Sequence, residues 1–242
     1  MRIIKTFVSQ SWPSEPTFSV DQIPDLSGRV VMVTGGNAGI GYETAKAVLS
    51  KNAKVYIACR SQEKGKSALA RLRQETGKEG HFLKLDLASL VSVREAASEF
   101  LRLETKLHIL FNNAGVMEPP IDLLTAEGYD MTIGTNVLGP YYFTTLLLPA
   151  LLAVSSDGNQ KARIVNTSSF GSEIASKVDY TIFKDTDKKR RALGPSGLYL
   201  QSKWLNIVFT KEFSRRYGDK GIVSSAVNPG NIQSASEAYI RV

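Results

Sequence analysis

Short β-branched or apolar runs alternate with stretches of helical periodicity along most of this chain, and no other feature restricts its fold as strongly. The runs lie at Val30–Val33, Lys54–Ala58, His81–Leu85, Leu107–Phe111, Arg163–Asn166 and Ile222–Val227. Between them, residues 39–51, 62–76, 90–104, 126–153 and 198–217 read as helices. In Glu95-Ala-Ala-Ser-Glu-Phe-Leu-Arg-Leu the apolar residues recur every three to four positions, as one buried helical face requires. Ser92-Val-Arg-Glu95 has the spacing of a capping box for that helix, and Ser89 is a second candidate start. Strand–helix alternation of this kind builds βαβ units, so the expected architecture is α/β: a doubly wound parallel sheet of about six strands with helices on both faces. Strands covered on both sides can be apolar throughout, and Leu107-His-Ile-Leu-Phe111 nearly is.

At 242 residues the chain is long enough to bury a core without metals or cross-links. Residues 1–28 read as an irregular leader broken by Pro13 and Pro16, and 29–242 as a single domain. The one cysteine, Cys59, cannot form an internal disulfide, and no targeting signal is legible, so a cytoplasmic location is expected. The net charge of +7 is spread along the chain. Its one dense block, Lys184 to Arg191, includes two acids and reads as a solvated loop, so no nucleic-acid partner is expected. Met131 to Ser156 has no charged residue, which raises the question of a membrane span. Gly134, Asn136, Gly139, Pro140, Pro149 and four threonines argue instead for a buried helix.

The first run leads directly into Thr34-Gly-Gly-Asn-Ala-Gly-Ile-Gly41 and then a helix. A glycine-rich turn between strand and helix presents backbone N–H groups and a helix N-terminus to a pyrophosphate. Side chains at 35, 39 or 41 would obstruct the turn, the approach of phosphate, or the packing of helix on strand. The second run ends at Arg60, with Lys64 and Lys66 close behind. An acid at that point would hold a free ribose 2′-hydroxyl, whereas a guanidinium suits a 2′-phosphate. Arg60 therefore points to NADP rather than NAD. Farther on come Asp86-Leu87, Asn112-Asn-Ala-Gly115, Asn136, Ser168-Ser169 and Tyr199-Leu-Gln-Ser-Lys203. Tyr199 and Lys203 are four residues apart and share a helical face. An ammonium one turn away favours phenolate, which would let the tyrosine exchange a proton near neutral pH.

Taken in order, TGGNAGIG, Asp86-Leu87, NNAG, Asn136, the serine pair, YLQSK and Asn228-Pro-Gly230 resemble the short-chain dehydrogenase/reductase family across residues 29 to 234. The resemblance implies a Rossmann fold and roles for individual residues. Tyr199 would move the proton, Lys203 would lower the Tyr199 pKa and hold the nicotinamide ribose, and Ser169 (or its neighbour Ser168) would polarise the carbonyl. Asn136 would support a water in the proton relay. Gly35, Asn37, Gly39, Ile40 and Gly41 would cradle the pyrophosphate of NADP, with Arg60 and Lys64 at its 2′-phosphate. Asp86 and Leu87 would meet adenine, while Asn112, Asn113 and Ala114 would wall the site. Pro229, Gly230, Ile232 and Ser234 would cover the nicotinamide. No metal is implied. The insert Gly171–Gly197 looks like that of the retinol-dehydrogenase-like, NADP-preferring branch.

Family members continue past the Pro-Gly loop, and the tail from Ala235 to Val242 does not resemble that continuation. A C-terminally shortened member is expected, without the usual last strand and substrate lid, leaving Ile222–Val227 as an apolar sheet edge. Two functions follow. The first is an NADP-dependent oxidoreductase interconverting an alcohol and a carbonyl on a small apolar metabolite. The alternative is a catalytically impaired NADP(H)-binding protein acting through a partner. The resemblance also implies association of copies through helices 126–153 and 198–217.

Overall fold

The computed structural model describes residues 8–9, 15–155, 160–175, 178–184, 188–230 and 232. Six strands form one sheet: β1 (Val30–Thr34), β2 (Lys54–Cys59), β3 (His81–Lys84), β4 (Ile109–Asn112), β5 (Ala162–Thr167) and β6 (Ile222–Val227). Their spatial order is β3-β2-β1-β4-β5-β6, and every neighbouring pair is parallel. The chain winds outward from β1 to one edge and then from β4 to the other. This is the doubly wound arrangement, with a crevice where the winding reverses, between β1 and β4.

Helices α1 (Gly39–Ser50) and α2 (Gln62–Thr76) cover one face of the sheet. Val31, Val33, Val55 and Ile57 pack there against Ala45, Leu49, Ala68 and Leu72. The other face buries Met32, Leu83, Leu110 and Ile164 against Phe100 of α3 (Leu90–Leu103) and Phe143 of α4 (Met131–Leu146). Helix α5 (Leu148–Ser155) adds Leu151 and Val154 to the same cluster. A short turn α6 (Gly171–Ile174) precedes the long α7 (Lys188–Tyr217), which adds Phe209 and Phe213.

Several local expectations are corrected. Ser89, not Ser92, caps α3: its hydroxyl accepts from the Ser92 N–H, while the Ser92 side chain accepts from the Asp86 N–H. The helix expected over 126–153 begins only at Met131, where the Asp130 carboxylate accepts from the N–H groups of Thr132 and Ile133. It then breaks near Leu147 with a 54° bend into α5. Pro149, lacking a donor, fits the first turn of the new helix and could not have continued the old one. Helix α7 starts earlier than expected but is kinked at Gly194, whose φ of 65° belongs to the left-handed region. Pro195 then starts the segment that bears Tyr199. The fourth strand begins at Ile109, since the Leu107 N–H donates to the Ala150 carbonyl rather than joining the ladder.

Among the described residues no single helix is long and apolar enough to cross a membrane. The bent pair α4 and α5 has the length and composition, yet Phe143, Leu147, Leu151 and Val154 on it are buried in the core. Among the described residues β6 pairs with β5, and Val223 and Val227 on it are exposed.

Candidate active site

Loops at the C-terminal ends of the strands enclose a cleft of about 1370 Å³ over the point where the winding reverses. At its centre β1 turns into α1. Gly35 sits at φ 67°, and a Cβ on Gly41 would lie 2.4 Å from the Gly35 carbonyl oxygen and 2.6 Å from Asn113 Nδ2. Only glycine lets the first turn of α1 press this closely on the loop. The helix start at Ala38 has no side-chain cap, and its first-turn N–H groups face the cleft beside Asn37, Gly39 and Ile40. An uncapped helix start in a glycine cradle suits an anion such as a pyrophosphate. Thr34 secures the floor: its hydroxyl donates to the Phe111 carbonyl and accepts from the N–H groups of Asn113 and Ala114.

One end of the cleft is lined by Arg60, Lys64 and Asp86. One Asp86 oxygen accepts from the Ala88 N–H. The sequence reading missed Ser67 and Arg71, which line the same end. With Lys64 they recur at helical spacing along α2, and that periodicity was the available signal. The Arg71 guanidinium lies 4.3 Å from the centroid of the Tyr42 ring.

At the other end stand Ser169, Tyr199 and Lys203, with Pro229, Gly230 and Ile232 beside them. Ser169 and Ser168 part company here. The Ser168 hydroxyl is buried and donates to the Lys203 carbonyl at 2.8 Å, while the Ser169 hydroxyl accepts from the Gly171 N–H at 3.2 Å and stands beside the Tyr199 phenol. Lys203 Nζ lies 5.5 Å from the Tyr199 ring centroid and donates to the Thr167 carbonyl at 3.0 Å. Burial pulls the Lys203 ammonium down to about 8. Burial also pushes the Tyr199 phenol up, with Glu118 adding to the rise and Ser169 opposing it. The expected lowering of Tyr199 by Lys203 is therefore not what the structure gives. Desolvation sets the direction, and the ammonium is engaged by a backbone carbonyl.

Two expected cleft residues lie behind its wall. Asn112 is buried in the sheet, its amide donating to Thr144 Oγ1 and Asn166 Oδ1, and it ties β4 to β5 and α4 rather than facing the cleft. Asn136 lies in a π-turn of α4, Gly134–Leu138. Its Oδ1 accepts from the Val116 N–H, and its Nδ2 donates to the Val116 carbonyl and to Ser202 Oγ. Asn136 thus fixes the loop after β4 against the catalytic helix. Neighbouring Thr135 reaches the cleft, as do Leu87, Asn113 and Ala114. Ser234 lies outside the described residues.

The short chain dehydrogenase family profile matches residues 29–181. A short-chain dehydrogenase/reductase of Armillaria gallica is 51% identical over 236 residues, covering 97% of this chain and 75% of that protein. The chain belongs to the short-chain dehydrogenase/reductase family. It is an oxidoreductase of that family, whose members bind a nicotinamide coenzyme. Retinol dehydrogenase 11 of Mus musculus is 40% identical over 215 residues, 88% of this chain and 65% of that protein. The solved NADP active-site complex of RhlG from Pseudomonas aeruginosa superposes with a TM-score of 0.70 at 25% identity, covering 89% of this chain and 77% of that one.

Proposed function

We propose that this short-chain dehydrogenase/reductase is an NADP-dependent enzyme interconverting an alcohol and a carbonyl on a small apolar substrate. The observation that carries the reading is the convergence of Ser169, Tyr199 and Lys203 at one end of a cleft whose other end bears Arg60, Lys64 and Arg71. When bound, the coenzyme supplies or accepts the hydride. The chain's own residues bind, orient and handle the proton.

The glycine turn and the start of α1 would hold the pyrophosphate, and the cations at the end of β2 and along α2 would hold a 2′-phosphate. Tyr199, with its phenol raised by burial, is protonated at neutral pH and is the proton donor that carbonyl reduction needs. Ser169, beside that phenol, would donate to the same substrate oxygen. Lys203 would bring a positive charge beside both and reach the ribose hydroxyls. Met117, Leu123 and Met131 give the cleft an apolar flank, which favours apolar substrates.

The test is NADPH oxidation against a panel of aldehydes and ketones, repeated with Tyr199→Phe. Turnover that vanishes in the variant while NADPH affinity persists supports the reading; turnover that survives it overturns the mechanism. Tight NADPH binding without turnover by the unaltered chain would favour the binding protein that acts through a partner.

A further inference from the structure

The basic block Lys184 to Arg191 is not uniformly a solvated loop. Lys184 and Arg191 are exposed, but Arg190 is 1% exposed and is among the most deeply buried large side chains. Its Nη1 lies 3.3 Å from Asp130 Oδ2, and the two side chains are 1% and 3% exposed. The same Nη1 donates to the Ile121 carbonyl. The other Asp130 oxygen is occupied in capping α4. A buried pair of this kind is weak evidence for stability, because desolvating two charges offsets most of their attraction. Its position suggests a different use.

The pair is the buried one of several ties between two stretches far apart in sequence; an exposed ion pair, Arg191 to Asp122 at 2.6 Å, links the same two. One is the strip 121–131, which contributes Leu123 and Met131 to the cleft. The other is the insert before the catalytic helix. Around the pair the Asp130 N–H donates to the Phe183 carbonyl, Tyr129 and Lys184 form an antiparallel bridge, and the Met131 N–H donates to the Leu123 carbonyl. Ile182 and Leu198 pack with Ile133 beneath them. The catalytic pair has separate anchors. Beyond the Gly194 kink, Lys203 is held by Thr167 and Ser168, and Asn206 also donates to the Thr167 carbonyl.

We propose that Arg190 and Asp130 are positioning residues that hold the apolar wall of the substrate site, setting affinity for longer apolar carbonyl substrates without acting on the chemical step. This rests on the cleft being an alcohol/carbonyl site. Arg190 pulls the strip at Ile121 and Asp130 toward the insert, so losing it lets Leu123 and Met131 recede while Ser169, Tyr199 and Lys203 stay in place.

The experiment compares octanal with propanal as substrates and titrates 1-octanol calorimetrically into the NADP-saturated protein. In Arg190→Met, KM for octanal should rise about tenfold with kcat within twofold, KM for propanal should stay within twofold, and octanol binding should weaken about tenfold. Arg190→Lys, which keeps the charge but not the planar guanidinium, should fall between the variant and the unaltered protein. The double variant Asp130→Asn/Arg190→Met removes the uncompensated charge, so its melting temperature should recover while the octanal KM stays high. The proposal is overturned if KM for octanal and propanal rise together, or if the double variant restores octanal KM along with stability. Should no carbonyl be turned over, the reading of the site as catalytic fails by itself. The octanol titration then decides: weaker binding by Arg190→Met supports the proposal, and equal or no binding by the two proteins ends it.

Discussion

The Ser168 hydroxyl donates to the main-chain carbonyl of Lys203 across 2.8 Å of buried space, joining the end of β5 to the third turn of the catalytic helix segment. That bond uses one serine of the pair as a fastening and leaves its neighbour, Ser169, to face Tyr199. The two serines should therefore fail in different ways. Ser169→Ala removes a donor from the reacting oxygen and should lower kcat roughly hundredfold with little change in melting temperature. Ser168→Ala leaves the buried Lys203 carbonyl without that donor and should destabilise the fold by about 1–3 kcal/mol, with a smaller effect on kcat. Steady-state kinetics and thermal unfolding of both variants make the check. An exchange of phenotypes would mean that the wrong serine has been assigned to the substrate.

The glycine turn makes a second prediction, because the space at Gly41 is already full. A methyl group there would lie 2.4 Å from the Gly35 carbonyl oxygen, a backbone atom that cannot rotate away. Gly41→Ala should push α1 off the loop, lowering stability by about 1–3 kcal/mol and NADPH affinity at least tenfold. Gly218→Ala is the control, since an added Cβ there meets nothing within 4 Å. Fluorescence titration with NADPH on both proteins separates the cases. Equal affinities would show that the turn does not hold the coenzyme phosphates.

Lys203 makes the third prediction through pH. Burial holds its folded-state pKa at about 8, against 10.5 for the free side chain. Between those values the unfolded chain binds more protons than the folded one, so stability rises with pH across that window. Below pH 8 the ammonium is buried in full, at a cost of about 3 kcal/mol from the size of the shift. Lys203→Met removes the titration. Urea unfolding from pH 7 to pH 10 should show a rising contribution in the unaltered protein that is missing from the variant. Identical slopes in the two proteins would show that Lys203 does not titrate in this range.

What the sequence made legible was whatever rests on local pattern. The six runs became the six parallel strands because period and β-branching act residue by residue, and Ile222–Val227 was read to the residue. The glycine turn and the Tyr199–Lys203 face were likewise local. What escaped depends on contacts made at a distance. Asn112 and Asn113 are adjacent, but strand alternation turns Asn112 into the sheet and leaves Asn113 at the cleft, so the motif alone could not divide their roles. The uncharged run after Met131 looks continuous, but its bend before Pro149 depends on how α4 and α5 pack on the sheet. Arg190 departs furthest from its local pattern. A charge block predicts solvent, and only the fold brings Asp130 to its guanidinium.

Arg60 makes the last prediction, on the choice of coenzyme. It is exposed at the end of β2, where an acidic side chain would hold a free 2′-hydroxyl and repel a 2′-phosphate. A charge-assisted bond to phosphate is worth about 1.5–3 kcal/mol, roughly ten- to a hundredfold in affinity. Arg60→Glu should therefore raise the NADPH dissociation constant by at least that factor and leave NADH within about twofold, or tighten it. The NADPH affinity of the unaltered protein should fall with added salt more steeply than that of the variant, because the guanidinium–phosphate attraction is partly screened at this exposed site. Lys64 and Arg71 flank the same end of the cleft, so Arg60→Ala alone should leave a residual preference that Arg60→Ala/Lys64→Ala reduces further. Parallel loss of NADPH and NADH affinity would instead mean that Arg60 supports the adenosine wall and does not read the phosphate.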